Sequence, residues 1–247
     1  MPLRKRENRE SASRRKAELR DMVWSLLEER GVARFPRPVK GRIPNFQGAE
    51  MAARRVLGKD EFRRAEVVKV NPDSPQLEVR RGVLETGKML IMPSPRLRSG
   101  FLILDPSRIP RKLHRRAATI RGSFQYASET GLGNLPRVDL IVCGSVAVTE
   151  GGARVGKGGG YSELEYAILR ELELADEGTP IMTTVHDLQI VEDAPVEEHD
   201  FSVDFIATPT RMVRTRGLRR RPRGIIWENI SEKRLDEIPI LKTLRRR

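Results

Sequence analysis

The chain has 247 residues, enough for one large domain with its own apolar core, and its single cysteine, Cys143, excludes an internal disulfide. Lys and Arg total 47 against 34 Asp and Glu, a formal charge of +13, which favours polyanionic partners without choosing between nucleic acid and phosphorylated small molecules. The lack of a signal peptide and of a membrane-length apolar run sets the expectation of a cytoplasmic protein with no membrane partner; oligomeric state stays open.

Residues 1–10 are polar and basic and are expected to form a disordered arm, with 11–247 a single α/β domain. A helical stripe of Leu19, Met22, Val23, Leu26 and Leu27 predicts a helix from Ser11 to Arg30, stopped by Gly31. A second helix is expected from Asn45 to Leu57. Glu66–Val70, Met89–Met92 and Phe101–Leu104 read as strands, and Leu77, Arg80, Arg81 and Leu84 predict a helix over Leu77–Glu85. Further strands are expected at Leu140–Cys143, Ile181–Val185, Val203–Ala207 and Ile225–Trp227, and helices at Ser162–Leu174 and Glu232–Glu237. Strand and helix alternate at βαβ spacing, which predicts a three-layer α/β fold, a mainly parallel sheet with helices on both faces. Cys143 falls in the apolar run and reads as a buried core thiol.

The segment Gly151-Gly152-Ala153-Arg154-Val155-Gly156-Lys157-Gly158-Gly159-Gly160-Tyr161-Ser162-Glu163 lies between a buried strand and an amphipathic helix. Consecutive glycines open backbone conformations that aim N–H groups at an anion, and a helix start adds donors and a favourable dipole. Arg154 and Lys157 add positive charge for phosphate. The spacing is neither a Walker A nor a dinucleotide fingerprint. A flexible surface loop is the bland alternative. Ser162 reads as an N-cap whose box is completed by Glu165, which is compatible with a phosphate site. Glu163 reads either as a magnesium ligand or as a plain first-turn acid.

Elsewhere, His186 beside Asp187 and His199 beside Asp200 are candidates for proton transfer or ordinary loop residues; His114 reads as structural. Phe46 and Gln47 would cover a planar substrate, with core packing the alternative for Phe46. Arg42 and Arg96 are candidate contacts for a carboxylate or phosphate. Seven arginines in the basic segment 211–223 offer a surface for RNA or DNA.

In order along the chain, Lys16-Ala17-Glu18-Leu19-Arg20, strand 138–143, Gly152 to Tyr161, and Gln189, Pro195, His199 and Asp200 resemble the 5-formyltetrahydrofolate cyclo-ligase (methenyltetrahydrofolate synthetase) family. The resemblance covers about residues 12–210 and implies a cyclo-ligase-like fold of the NagB/RpiA/CoA transferase-like type, ATP and Mg2+ as cofactors, and a folate substrate. It implies phosphorylation of the N5-formyl oxygen, attack by N10 and loss of phosphate to leave the methenyl bridge. Carried onto this chain, Lys16, Arg20, Arg154, Gly156, Lys157, Gly158, Gly159, Gly160, Tyr161 and Ser162 surround the nucleotide, Glu163 takes the place of a magnesium-binding aspartate, and Arg154, Lys157 and His186 serve the chemistry. The chain departs from the pattern where Ser162-Glu163-Leu164 follows Tyr161, losing an arginine, where Ala147-Val148-Thr149 replaces an Ala-Phe-Asp run, and in the middle region, which lacks a glutamate-proline pair associated with the folate ring.

Arg42–Phe46, Val70–Asp73, Pro93–Leu97, Thr183–Asp187 and Glu198–Asp200 resemble a divergent branch, the methenyltetrahydrofolate synthetase domain-containing proteins. Animal members of that branch carry an RNA-recognition module, which the residues after 210 are too few to hold. A nucleic-acid-binding protein on a cyclo-ligase-like fold is therefore the alternative function.

Overall fold

A computed structural model describes residues 3–128, 132–217 and 221–246. Helix α1 (Leu3–Glu29) is followed by strands β1 (Ala33–Arg34) and β2 (Asn45–Phe46), helices α2 (Ala49–Leu57) and α3 (Asp60–Arg64), and strand β3 (Val67–Val70). Helix α4 (Leu77–Glu85) leads to β4 (Met89–Pro93) and β5 (Phe101–Leu104), then to α5 (His114–Ala117) and α6 (Ile120–Tyr126). The second half runs β6 (Leu140–Gly144), β7 (Ala147–Thr149), β8 (Arg154–Val155), α7 (Tyr161–Glu171), β9 (Ile181–Thr184), β10 (Ile190–Val191), β11 (Phe205–Ala207), β12 (Met212–Arg214), α8 (Glu232–Glu237) and α9 (Pro239–Arg245).

The main sheet has the order β12-β11-β9-β6-β3-β4-β5. Its inner neighbours pair in parallel, while β12 and β5 close the edges antiparallel. Successive strand residues point to opposite faces, and each face has its own core. Ile91, Ile141, Cys143 and Ile181 pack with Leu164 and Ile168 of α7 and with Leu235, Leu241 and Leu244 of α8 and α9. Leu90, Met92, Leu140, Val142 and Met182 pack instead against Ala52, Val56, Val79 and Val83 of α2 and α4. The expected three layers are present. Cys143 is fully buried, and burial raises its thiol pKa.

A second, three-stranded sheet in the order β10-β7-β8 supports the approach to the glycine segment. It packs with Val23, Trp24 and Leu27 of α1. The backbone of α1 starts at Leu3, ahead of the expected Ser11 and through the arm expected to be disordered. Arg, Lys and Glu are good helix formers, so solvent-facing turns continue without a core. The expected helix at Asn45 is a short strand instead, because Gly48 at φ 83 turns the chain before α2. The expected last strand at Ile225–Trp227 is also absent: Trp227–Asn229 is a turn of 3-10 helix tied to α7.

Candidate functional site

The glycine segment turns into α7 at Gly160, whose φ of 63 makes it the N-cap. This corrects the expected cap at Ser162, which lies inside the first turn and whose hydroxyl accepts a bond from Asn71 Nδ2 at 3.0 Å. Glu165 is not a capping-box partner either. It is buried, with Oε2 2.5 Å from Lys69 Nζ and 3.1 Å from Asn71 Nδ2.

The loop carbonyls are turned outward to arginines. Arg20 Nε donates to the Gly156 carbonyl at 2.7 Å, and Arg234 donates to that of Gly159 at 2.8 Å while its guanidinium lies 4.6 Å from the Tyr161 ring centre. Among the described residues, none accepts a hydrogen bond from the backbone N–H groups of Gly156 through Ser162. Gly158 has φ 99, a conformation that side chains with a Cβ rarely adopt. The segment is thus a row of uncommitted donors at a helix N-terminus.

A cleft of about 370 Å³ opens beside it, lined by Asn71, Asp73, Arg154, Lys157, Ser162 and Glu163 among others. Arg154 is 4% exposed, which decides its part: Nε and a terminal nitrogen donate to the Gly144 carbonyl at 3.0 and 2.8 Å, and the other terminal nitrogen pairs with Glu163. With both ends of its fork committed, Arg154 orients Glu163 and does not extend as a free phosphate clamp. Burial works against both charges, yet Glu163 raises the Arg154 pKa, and Arg154 holds the Glu163 carboxyl below its ordinary range. Glu165 behaves oppositely: burial outweighs Lys69 and pushes its pKa up. Two carboxylates one residue apart in the helix's first turns are thereby set to different protonation behaviour.

Lys157 Nζ meets Asp73 at 2.9 Å, linking the loop to the turn after β3. Beneath that turn, fully buried Arg80 donates to the carbonyls of Asn71 at 2.6 Å, Asp73 at 2.9 Å and Ala118 at 2.8 Å; burial lowers its pKa to about 10. Arg42 and Arg96 are exposed residues of the same cleft, and Arg96 adopts φ 56, an unusual conformation for a non-glycine residue.

Several expected site residues fall elsewhere. Lys16 is 5% exposed and bonds Glu197 at 2.8 Å and Asp200 at 2.5 Å; it anchors the loop before Phe201 and does not line the cleft. His186 caps the turn Asp187–Gln189, accepting from the Leu188 N–H at 3.2 Å, and burial lowers its pKa. It stands edge-on to Phe46, with ring centres 6.0 Å apart, and does not line the glycine cleft. Phe46 is itself 2% exposed and belongs to the core, while Gln47 bonds Arg34 at 2.6 Å in a separate depression. His114 is buried against the Ile109 carbonyl. Glu163 lines the cleft, but among the described residues no group of three His, Cys, Asp or Glu side chains forms a metal cluster.

In the basic segment, Arg211 pairs with Glu150 at 3.0 Å, and Arg221 bonds Asp204 at 2.5 Å with a fully covered side chain. Arg219 and Arg220 lie outside the described residues. Among the described residues no helix is long and apolar enough to cross a membrane.

Sequence reasoning overlooked Lys69, Asn71, Arg80, Glu165 and Arg234. One signal was available: Lys69 is the charged residue in the otherwise apolar strand Val67-Val68-Lys69-Val70. A lysine buried in a central strand requires a partner.

Residues 12–209 match the 5-formyltetrahydrofolate cyclo-ligase family. Methenyltetrahydrofolate synthase domain-containing proteins of Bos taurus and Homo sapiens are each 44% identical, over 93% and 94% of this chain, and that of Danio rerio is 41% identical over 93%. The chain spans 61–62% of the length of these relatives. The NMR structure of Aquifex aeolicus 5,10-methenyltetrahydrofolate synthetase superposes with a TM-score of 0.52 at 19% identity, covering 83% of this chain and 94% of that one, a likeness of fold. With a family match over most of its length and the fold to accompany it, this chain belongs to the 5-formyltetrahydrofolate cyclo-ligase family.

Proposed function

We propose that this chain binds Mg-ATP at Gly156–Ser162 and performs cyclo-ligase chemistry, converting 5-formyltetrahydrofolate to 5,10-methenyltetrahydrofolate with release of ADP and phosphate, or closely related phosphoryl-activated chemistry. The observation that carries the reading is the row of N–H groups from Gly156 to Ser162 without acceptors, its carbonyls drawn away by Arg20 and Arg234. Such a row favours a polyphosphate without any rearrangement of the loop.

When bound, Mg-ATP supplies the phosphoryl group for the acceptor oxygen. Lys157 adds mobile positive charge beside the loop, and Arg154 holds Glu163 in place. Glu163, with retained waters, fits the few-carboxylate environment that magnesium accepts. Asn71 and Ser162 offer polar edges to the acceptor, and Glu165 with Lys69 fixes them from below. Tyr161 is the aromatic residue of the cleft among the described residues, in keeping with a folate half that departs from the family pattern.

The test is a spectrophotometric assay for the methenyl product with ATP, magnesium and 5-formyltetrahydrofolate, paired with calorimetry for Mg-ATP. Product formation dependent on ATP supports the full reading. Nucleotide binding without product limits it to a different acceptor, and no nucleotide binding refutes it.

A further inference from the structure

The glycine segment borders two cavities. Gly159, Gly160 and Glu163 line the cleft described above and also a second hollow of about 390 Å³ on the opposite side of the loop. The first contains Arg42, Arg96, Lys157, Asp73 and Glu165 and is heavily charged. The second is walled by Leu164 and Ala167 of α7 facing Ile225, Ile226 and Ile230, with the Asn229 amide at its edge.

Its outer wall lies beyond residues 12–209, the span that matches the family. That wall is fastened to α7: Glu171 accepts from the Ile225 N–H at 3.0 Å and from Trp227 Nε1 at 3.4 Å. At its far end, Arg234 binds the Gly159 carbonyl and covers Tyr161. One strap of chain therefore walls the hollow and shapes the phosphate loop.

We propose that this second hollow is the nucleobase site, formed by residues 222–234, and that it takes a neutral planar heteroaromatic base joined to phosphates on the glycine segment. This rests on the phosphate reading above. The argument is one of polarity and continuity. A nucleotide on this loop can direct its base to either side, and a neutral ring gains most from burial between aliphatic walls. The charged cleft suits the acceptor and its developing charge. Among the described residues the Asn229 side chain makes no hydrogen bond, so its amide is available to the edge of a base.

Calorimetry should compare Mg-ATP with magnesium tripolyphosphate, which carries the phosphates without the base. Wild type is expected to prefer ATP by at least about tenfold. Ile226→Glu, which places a charge in the half-buried wall, should abolish that preference while leaving tripolyphosphate affinity unchanged. Photolabelling of the unaltered protein with 8-azido-ATP should mark peptides within 222–234. Equal affinity of wild type for the two ligands, or label confined to residues of the charged cleft, would overturn the assignment. If neither ligand binds, the phosphate site itself is refuted along with the base site.

Discussion

Lys69 Nζ lies 2.5 Å from Glu165 Oε2 beneath the cleft, although the two residues are 96 positions apart in the chain. Strand β3 delivers one and helix α7 the other, so the pair couples the sheet to the helix that carries the glycine turn. Both side chains are at most 5% exposed, which makes the pair costly to break and explains why Asn71 supplies further hydrogen bonds to each.

Replacing Lys69 with Met should therefore destabilise the protein by about 3–5 kcal/mol, because a buried carboxylate loses its counter-charge. Lys69→Met combined with Glu165→Met should recover most of that loss. Denaturant unfolding of the singles and the double decides this. A double variant whose loss equals the sum of the singles would show that the pair is not coupled.

Gly158 has φ 99, and a Cβ there would stand 3.4 Å from the Arg20 guanidinium. Gly158→Val should impose backbone strain of about 1–3 kcal/mol and displace the donors, lowering Mg-ATP affinity by at least about tenfold. Calorimetry on the folded variant is the measurement; unchanged affinity would remove the glycine segment as the phosphate site.

Glu163 and Arg154 predict a pH dependence with a definite sign. Arg154 lowers the folded Glu163 pKa below its ordinary value of 4.5, so the pair's contribution is complete above that pH and is lost as pH falls through the folded value. Glu163→Gln should thus melt well below wild type near neutrality, with the gap narrowing in acid. The same variant should weaken magnesium-dependent ATP binding more than binding in chelator. A melting gap that widens in acid contradicts the ion-pair account, and equal magnesium dependence contradicts the metal role.

Arg80 fixes the Asn71–Asp73 turn through three main-chain carbonyls. Arg80→Met keeps the bulk but leaves those acceptors without a donor, a cost of about 2–4 kcal/mol. Thermal unfolding should report the loss, and a neutral substitution would mean that water replaces the guanidinium.

The basic segment divides by burial. Arg221→Met should reduce stability, since Asp204 keeps its buried position without that partner. Neutralising exposed Arg214, Arg216 and Arg223 together should leave the melting temperature unchanged and flatten the salt dependence of any RNA binding. An unaltered salt slope at matched ionic strength would detach these residues from polyanion binding.

Period-two apolar strands and the strand-to-helix position of the glycines were legible in the sequence because both are local: each depends on neighbours a few residues away. Phe101–Leu104, Leu77–Glu85 and Glu232–Glu237 have their expected bounds for that reason. Local pattern does not report who meets whom across the fold. It left Arg154 as a phosphate clamp until Glu163 and Gly144 proved to occupy its fork, and Lys16 as a nucleotide ligand until Glu197 and Asp200 enclosed it. Arg234 reaches the loop from 75 residues away. Charge on a side chain was determined by the sequence; whether that charge is spent on the protein or left for a ligand was decided by tertiary packing, since only packing fixes which opposite charges share a dry environment.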